Sequence, residues 1–198
     1  MNPVLMDIPT KFYTERLLIR VPQAGDGRVV FESIQASINE LKPWMPFACE
    51  EQTQEKIEAN LRNAYAKFIN REDMRLLLFL KENNEFVGSS GLHHMNWRVP
   101  KFEIGYWIDS RYSGNGYMTE AVKGITDFAF TELSANRVEI RCDTLNARSK
   151  AIPEKLGFTL EGTFRNDDLS VDGTSLRDTF IYAKVKPISI WRDTINEE

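Results

Sequence analysis

Residues 102–133 read FEIGYWIDSRYSGNGYMTEAVKGITDFAFTEL, and the fold is decided there. Phe102–Ile108 mixes aromatic and β-branched residues and predicts a strand, with Gly105 in its middle. A glycine inside a strand marks a bulge or a close approach to the backbone. From Tyr117 to Leu133 the apolar residues Met118, Ala121, Val122, Ile125, Phe128, Ala129 and Leu133 recur at helical spacing, so this segment predicts one long amphipathic helix.

Between strand and helix lies Arg111-Tyr-Ser-Gly114-Asn-Gly116. The first amides of a helix have no intrahelical partner, and the helix dipole makes that end electropositive. Glycines just before it let backbone N–H groups turn toward one anionic guest, and Arg111 supplies a cation. Such a site suits a phosphate or pyrophosphate. The glycine spacing also suits an ordinary turn; the preceding strand and following helix favour the anion site.

The flanking sequence supplies further elements. Leu17–Val21 predicts a strand and Ala24–Ile38 a helix with Val30, Phe31 and Ile34 on one side. Pro43 and Pro46 are expected to keep Leu41–Phe47 from being helical, with Trp44 lining a pocket or packing in the core. Thr53–Ile69 predicts a helix, and Arg75–Leu80 and Glu85–His93 two strands joined at Asn83-Asn84. Val138, Ile140 and Cys142 alternate with Glu139, Arg141 and Asp143, the pattern of a strand with one buried face. Asn146–Leu156 predicts a short helix stopped by Gly157. Phe158–Arg165 and Leu176–Lys184 form a last antiparallel pair about Asp172-Gly173, and 186–198 is a tail without periodicity. Strands outnumber helices and alternate with them irregularly, which predicts a mixed α/β fold in a single domain, 1–198.

Composition narrows the function classes. A net charge of −4 over 198 residues gives no footprint for nucleic acid. The longest apolar run, Leu76–Leu80, is far too short to span a membrane, and the opening MNPVLMDIPTKF has no signal-peptide pattern. Cys49 and Cys142 lack metal-ligand spacing, so no metal is expected, and a cytoplasmic location with reduced thiols follows. His93 and His94, adjacent on a strand, would point to opposite faces, and neither is read as catalytic. A dinucleotide fold would also use a strand, close glycines and a helix, with Asp143 near the ribose position. Thr119 occupies its third glycine position, the first glycine comes late, and too little chain follows Asp143 for a second half. No Walker loop occurs.

Arg111-x-x-Gly114-x-Gly116, preceded by Glu103-Ile-Gly-Tyr-Trp-Ile and followed by Tyr117-Met-Thr-Glu-Ala, resembles motif A of the GNAT acyltransferase superfamily, here about 102–133. Asn146-Ala-Arg-Ser149 through Gly157-Phe158 resembles its motif B, about 137–158. The resemblance runs from Thr14-Glu-Arg-Leu-Leu-Ile-Arg20 to about Lys184 and is strongest to the Rim-type ribosomal-protein N-terminal acetyltransferases. It implies the GNAT fold, a central mixed, mostly antiparallel sheet flanked by helices. It also implies acetyl-CoA as co-substrate, its pyrophosphate cradled by Arg111, Ser113, Gly114, Asn115, Gly116, Tyr117 and Met118. The pantetheine arm would add beside the backbone of Trp107, Ile108 and Asp109, where a bulge near Gly105 splays two strands; Asn146 and Ser149 would lie near the thioester.

Many relatives place a tyrosine in motif B as the acid that protonates the leaving thiolate. Here that position is Pro153, which would clash with the carbonyl of Ser149 and bend the helix. Ser149 resembles the residue that takes the acid role in Rim-type enzymes, and Asp168 aligns with a carboxylate assigned the base role. Asp167, Glu103 and Asp178 compete for that role. Trp44, Glu103 and Asp168 are expected on the acceptor side. Deprotonating an α-amine at pH 7 costs about 1 kcal/mol and a lysine roughly 4.6 kcal/mol, so an N-terminal acceptor needs little base help. The expected activity is acetyl transfer to a primary amine by direct attack, most simply a protein N-terminus. Alternatives are a small amine (aminoglycoside, polyamine or amino acid) or a non-catalytic acyl-CoA-binding module. A homodimer is compatible with the sequence.

Overall fold

The computed structural model describes residues 2–186. Its frame is an eight-stranded sheet: β1 (Lys11–Tyr13), β2 (Leu17–Arg20), β3 (Met74–Leu80), β4 (Phe86–Asn96), β5 (Lys101–Ile108), β6 (Arg137–Asp143), β7 (Thr159–Leu169) and β8 (Leu176–Val185). The spatial order is β1-β2-β3-β4-β5-β6-β8-β7, and every pairing is antiparallel except β5 with β6. This is the mixed, mostly antiparallel architecture that the motif resemblance implies. Beyond Lys186 the tail lies outside the described residues.

Helices cover both faces. On one, α1 (Gly27–Ala36) and α3 (Gln54–Ile69) bring Val30, Ile34, Ile57 and Leu61 against Leu77, Phe79 and Phe86. On the other, α4 (Tyr117–Thr131) lays Met118, Ala121, Val122, Ile125 and Ala129 over Phe102, Ile104, Val138 and Ile140. Full burial of side chains such as Ile125 and Val122 contributes about 1.5–3 kcal/mol each. That stripe fixes the rotation of α4, and hence the direction in which its first turn points.

The parallel pairing of β5 and β6 is brief. Register holds only for Lys101↔Arg137, Phe102↔Val138 and Glu103↔Glu139, after which the strands part. β6 continues against β8 from Arg137↔Val185 to Asp143↔Thr179, while β5 continues against β4 from Glu103↔His93 to Ile108↔Gly88. The second half of β5 therefore has an open edge. No bulge falls at Gly105, which pairs in regular register with Gly91. The divergence of β5 and β6, and not a kink at that glycine, makes the split.

Three local expectations are corrected. Leu41–Phe47 is partly helical: α2 (Ile38–Leu41) precedes it, and Pro46 opens a 3₁₀ turn, Pro46–Cys49. Proline is tolerated at a first helical position because its missing N–H would have no partner there. β7 runs past its expected end at Arg165, through Asp167 and Asp168 to Leu169, with an irregularity between Phe164 and Asp168, so the turn begins only at Ser170. His94 adopts a left-handed φ of 48° beside a register shift in β4, which breaks the alternation and brings its Nδ1 to Glu103 at 3.0 Å.

Candidate active site

The glycine loop is built as an open helix start. Gly114 (φ 83°) and Gly116 (φ 78°) are left-handed, and Gly116 caps α4 with no side-chain hydrogen bond. Side-chain N-caps ordinarily satisfy one of the first amides, so the donors of Tyr117, Met118 and Thr119 are left for another acceptor. A Cβ on Gly114 would meet nothing within 4 Å, so the loop has room beside it. Met118 itself is buried in the core and offers only its backbone.

Arg111 is less free than its sequence position implies. Its guanidinium lies on Asp109, with Nε 3.0 Å from Oδ1 and 3.2 Å from Oδ2. Burial alone would raise the Asp109 carboxyl; the Arg111 side chain and amide, together with Ser33, hold it below the ordinary carboxylate range. A second cation supports the loop, and sequence reasoning missed it. Arg16 donates from Nη1 to the carbonyl of Asn115 at 3.0 Å and stacks on Tyr117 at 4.5 Å, while Nε binds Glu120 at 2.6 Å. Arg16 belongs to the Thr14-Glu-Arg segment that opens the family resemblance, which was its available signal.

The open edge of β5 has a defined polarity. The amide of Asp109 donates to Val87 at 2.9 Å, so the odd-numbered residues of β5 direct their backbone groups to β4. Those of Tyr106 and Ile108 consequently face the split. Of Trp107, Ile108 and Asp109, only Ile108 offers its backbone to an extended ligand. The Trp107 ring packs with Phe47 and Phe86 on the opposite face, and the Asp109 side chain is fully buried. Ser113 and Asn115 are exposed on the loop.

At the far side of the split stands α5 (Ala147–Lys155). Asn146 caps it, its Oδ1 accepting from the amide of Ser149 at 3.0 Å. Pro153 sits inside the helix and has no N–H to give the Ser149 carbonyl. The hydroxyl of Tyr106 takes that place, donating to Ser149 O at 2.9 Å, and Ser149 Oγ lies 3.2 Å from the same phenol oxygen. Burial lifts the Tyr106 phenol above its ordinary range, so it remains protonated at neutral pH. A phenol thus stands beside the candidate acid, supplied by β5 in place of motif B. Burial likewise pushes the nearby Cys142 thiol up to about 11, which keeps it from being a thiolate.

A cavity of about 640 Å³ joins Trp44, Glu103, Tyr106, Asn146, Ser149 and Asp168. The candidate acid and every residue expected on the acceptor side therefore share one space. Glu103 is held by His94 and lies 3.5 Å from Arg141. Asp168 is exposed on β7, and among the described residues its side chain accepts one hydrogen bond, from the adjacent amide of Leu169 at 2.8 Å.

An open strand edge running from uncapped helix amides to a half-buried hydroxyl pair is a geometry for acyl transfer from a long, anionic donor. Comparison with known proteins agrees. Residues 16–159 match the family model described as an acetyltransferase (GNAT) domain. The chain is 32% identical over 176 residues to YdaF of Bacillus subtilis (strain 168), named as a ribosomal N-acetyltransferase, covering 87% of this chain and 92% of that one. It is 25% identical over 156 residues to the ribosomal-protein-serine acetyltransferase of Escherichia coli (strain K12), covering 77% and 79%. Its fold superposes on that of RimL, a ribosomal L7/L12 α-N-protein acetyltransferase solved with coenzyme A, with a TM-score of 0.80 at 20% identity, over 90% and 97% of the two chains. The chain belongs to the GNAT acetyltransferase family and is an acetyltransferase.

Proposed function

We propose that this protein transfers the acetyl group of acetyl-CoA to the N-terminal α-amine of a protein, a ribosomal protein being the first candidate, by direct attack in a ternary complex. The observation that carries the reading is the open edge of β5 between the uncapped start of α4 and the Ser149–Tyr106 pair. The names of YdaF and the Escherichia coli relative support the acceptor class. A cytoplasmic setting goes with this reading.

In the proposed complex the free amides of Tyr117 and Met118, with Arg16 and Arg111 at the rim, hold the pyrophosphate through the helix dipole and direct hydrogen bonds. Ile108 and Tyr106 align the pantetheine arm by strand pairing. Ser149 Oγ–H donates to sulfur as the C–S bond breaks, and Tyr106 keeps that hydroxyl in place. Asp168 and Glu103 give the acceptor wall a negative character suited to an arriving ammonium, and Trp44 gives it an aromatic surface. The site supplies position and electrostatics. With Cys142 held as a thiol, no acyl-enzyme step is invoked.

The test is thiol release from acetyl-CoA with a panel of amines. Peptides with a free N-terminal Ser or Ala are expected to be acetylated, whereas N-formyl peptides carrying an internal lysine are not. Faster turnover of the blocked lysine peptides, a polyamine or an aminoglycoside would overturn the acceptor assignment and leave acetyl transfer standing. No turnover of any amine, with CoA still bound, would favour a binding module.

A further inference from the structure

We propose that His93, oriented by Asp73, is the general base that takes the proton from the acceptor amine. This rests on the acyl-transfer reading of the split. The assignment starts from a pair of glycines. Gly91 on β4 and Gly105 on β5 are register partners, so the sheet has a shallow dip where neither strand carries a side chain. The imidazole of His93 lies over it. A Cβ on Gly91 would come 3.2 Å from its Cε1, and one on Gly105 would come 3.1 Å from Cδ2 and 3.3 Å from Nε2. At Gly105 the ring alone excludes a side chain, whereas at Gly91 the backbone of β3, the Met74 carbonyl and Arg75 Cα at 3.0 Å, is tighter still.

The ring is also fixed at its other end. Asp73 Oδ2 lies 2.6 Å from Nδ1, and Nε2 makes no hydrogen bond among the described residues. Burial alone would raise the Asp73 carboxyl; its bond to His93 and the positive charge around it, Arg75 and Lys67 included, together hold it below its ordinary value. A carboxylate at Nδ1 holds the proton there and leaves the lone pair on Nε2, the tautomer a base requires. His93 is only partly covered, with 29% of its side chain exposed.

What Nε2 faces decides the role. His93 lines a cavity of about 400 Å³ on the α1–α3 side of the sheet. That cavity and the one containing Ser149 share Met45, Gly105 and Tyr106. Nε2 lies over Gly105 and the Ser149 hydroxyl beside the phenol of Tyr106, so the base and the acid stand at adjacent residues of β5 that both cavities touch. Asp168, by contrast, is exposed on the far strand of the sheet.

The proton balance closes. The incoming ammonium gives one proton to Nε2, and the nitrogen lone pair forms the C–N bond with the thioester carbonyl carbon. As the C–S bond breaks, sulfur takes a proton from Ser149, which regains one from the nitrogen. The amide keeps a single hydrogen, and the imidazolium releases the other proton to water. Other charges facing this cavity or its dyad are Arg75 on β3, Glu50 and Lys56 across the cavity, and Lys67 behind Asp73. Glu103, the cross-strand partner of His93, is occupied by His94 and lies near Arg141.

The experiment compares the full chain with His93→Gln, Asp73→Asn and Asp168→Asn, using acetyl-CoA and the amine of the panel that is turned over best. The kcat profile reports ionisations in the bound complex. For the unaltered protein we expect an acid limb in kcat, where protonation removes the base. His93→Gln is expected to lower kcat about 10- to 100-fold at pH 6.5, with CoA affinity by calorimetry unchanged. Its residual rate should climb with pH until the amine loses its own proton. Asp73→Asn should share that profile in weaker form, and Asp168→Asn should keep the limb. An unchanged limb in His93→Gln, or its loss in Asp168→Asn alone, would overturn the assignment. Nitrogen NMR of His93 gives a readout independent of turnover: the Nδ1–H tautomer is expected, and an Nε2–H tautomer would refute a base role even if no amine were acetylated.

Discussion

Two helices begin at the same split, and their first turns are opposites. α4 starts at a left-handed glycine with no side-chain cap, so its amides are left for a guest. α5 starts at Asn146, whose side chain satisfies the Ser149 amide, and its unpaired group is a carbonyl, freed by Pro153 and taken up by Tyr106. One helix keeps donors open for an external anion. The other consumes its irregularity internally, to fix a serine and a tyrosine hydroxyl side by side. In the proposed mechanism binding and chemistry fall to different helix ends, and mutations should separate them.

The largest effect should come from closing the open end. Gly116→Glu adds bulk where φ is 78° and a negative charge where the helix dipole favours an anion. We expect loss of CoA binding by roughly 100-fold or more in calorimetry, since a like charge opposes every phosphate contact. The circular dichroism spectrum should be retained. Near-normal affinity in a folded Gly116→Glu protein would show that the pyrophosphate does not use α4. Arg111→Ala should weaken CoA far less, because that guanidinium is already engaged by Asp109.

A smaller and different effect should follow at α5. Ser149→Ala removes the proposed hydrogen bond to sulfur, which would matter only as charge develops, so kcat should fall on the order of 10- to 1000-fold with CoA affinity kept. A raised KM for acetyl-CoA with kcat unchanged would move Ser149 to the binding side of the comparison. Tyr106 would then be the hydroxyl to test next.

The two helix starts also differed in how far they could be read from sequence. The α4 end was legible because everything it needs is local: the apolar stripe, the two glycines and the strand before them are contiguous in 102–133. At α5 only half was legible. Pro153 implied a disturbed Ser149 carbonyl, but the phenol that restores it comes from β5, and strand register is a tertiary property. For the same reason the split could not be located at the parting of β5 and β6, and Gly105 suggested a bulge that is absent. His93 was hidden more deeply, since the glycine dip beneath it is shared by two strands. β4 and β7 run longer than the alternation predicts, past His94 and Asn96 in one and past Asn166 through Asp168 in the other, where polar residues interrupt it.

The finest test of the contrast lies at Pro153. Pro153→Ala returns an N–H to the helix interior, one turn beyond the Ser149 carbonyl, so the backbone can reclaim the acceptor that Tyr106 now uses. A net hydrogen bond contributes about 1 kcal/mol, so the loosened phenol should cost kcat about fivefold. CoA binding at α4 should not move. Folding should not suffer, because alanine is the better helix residue by about 3 kcal/mol at an interior position. That gain is reduced by the greater freedom of the unfolded chain. The decisive arm is the double variant. In a Tyr106→Phe background there is no phenol to displace, so Pro153→Ala should have no further effect on kcat, a coupling as large as its single effect. Additive losses would mean that the proline acts on Ser149 by some route other than Tyr106.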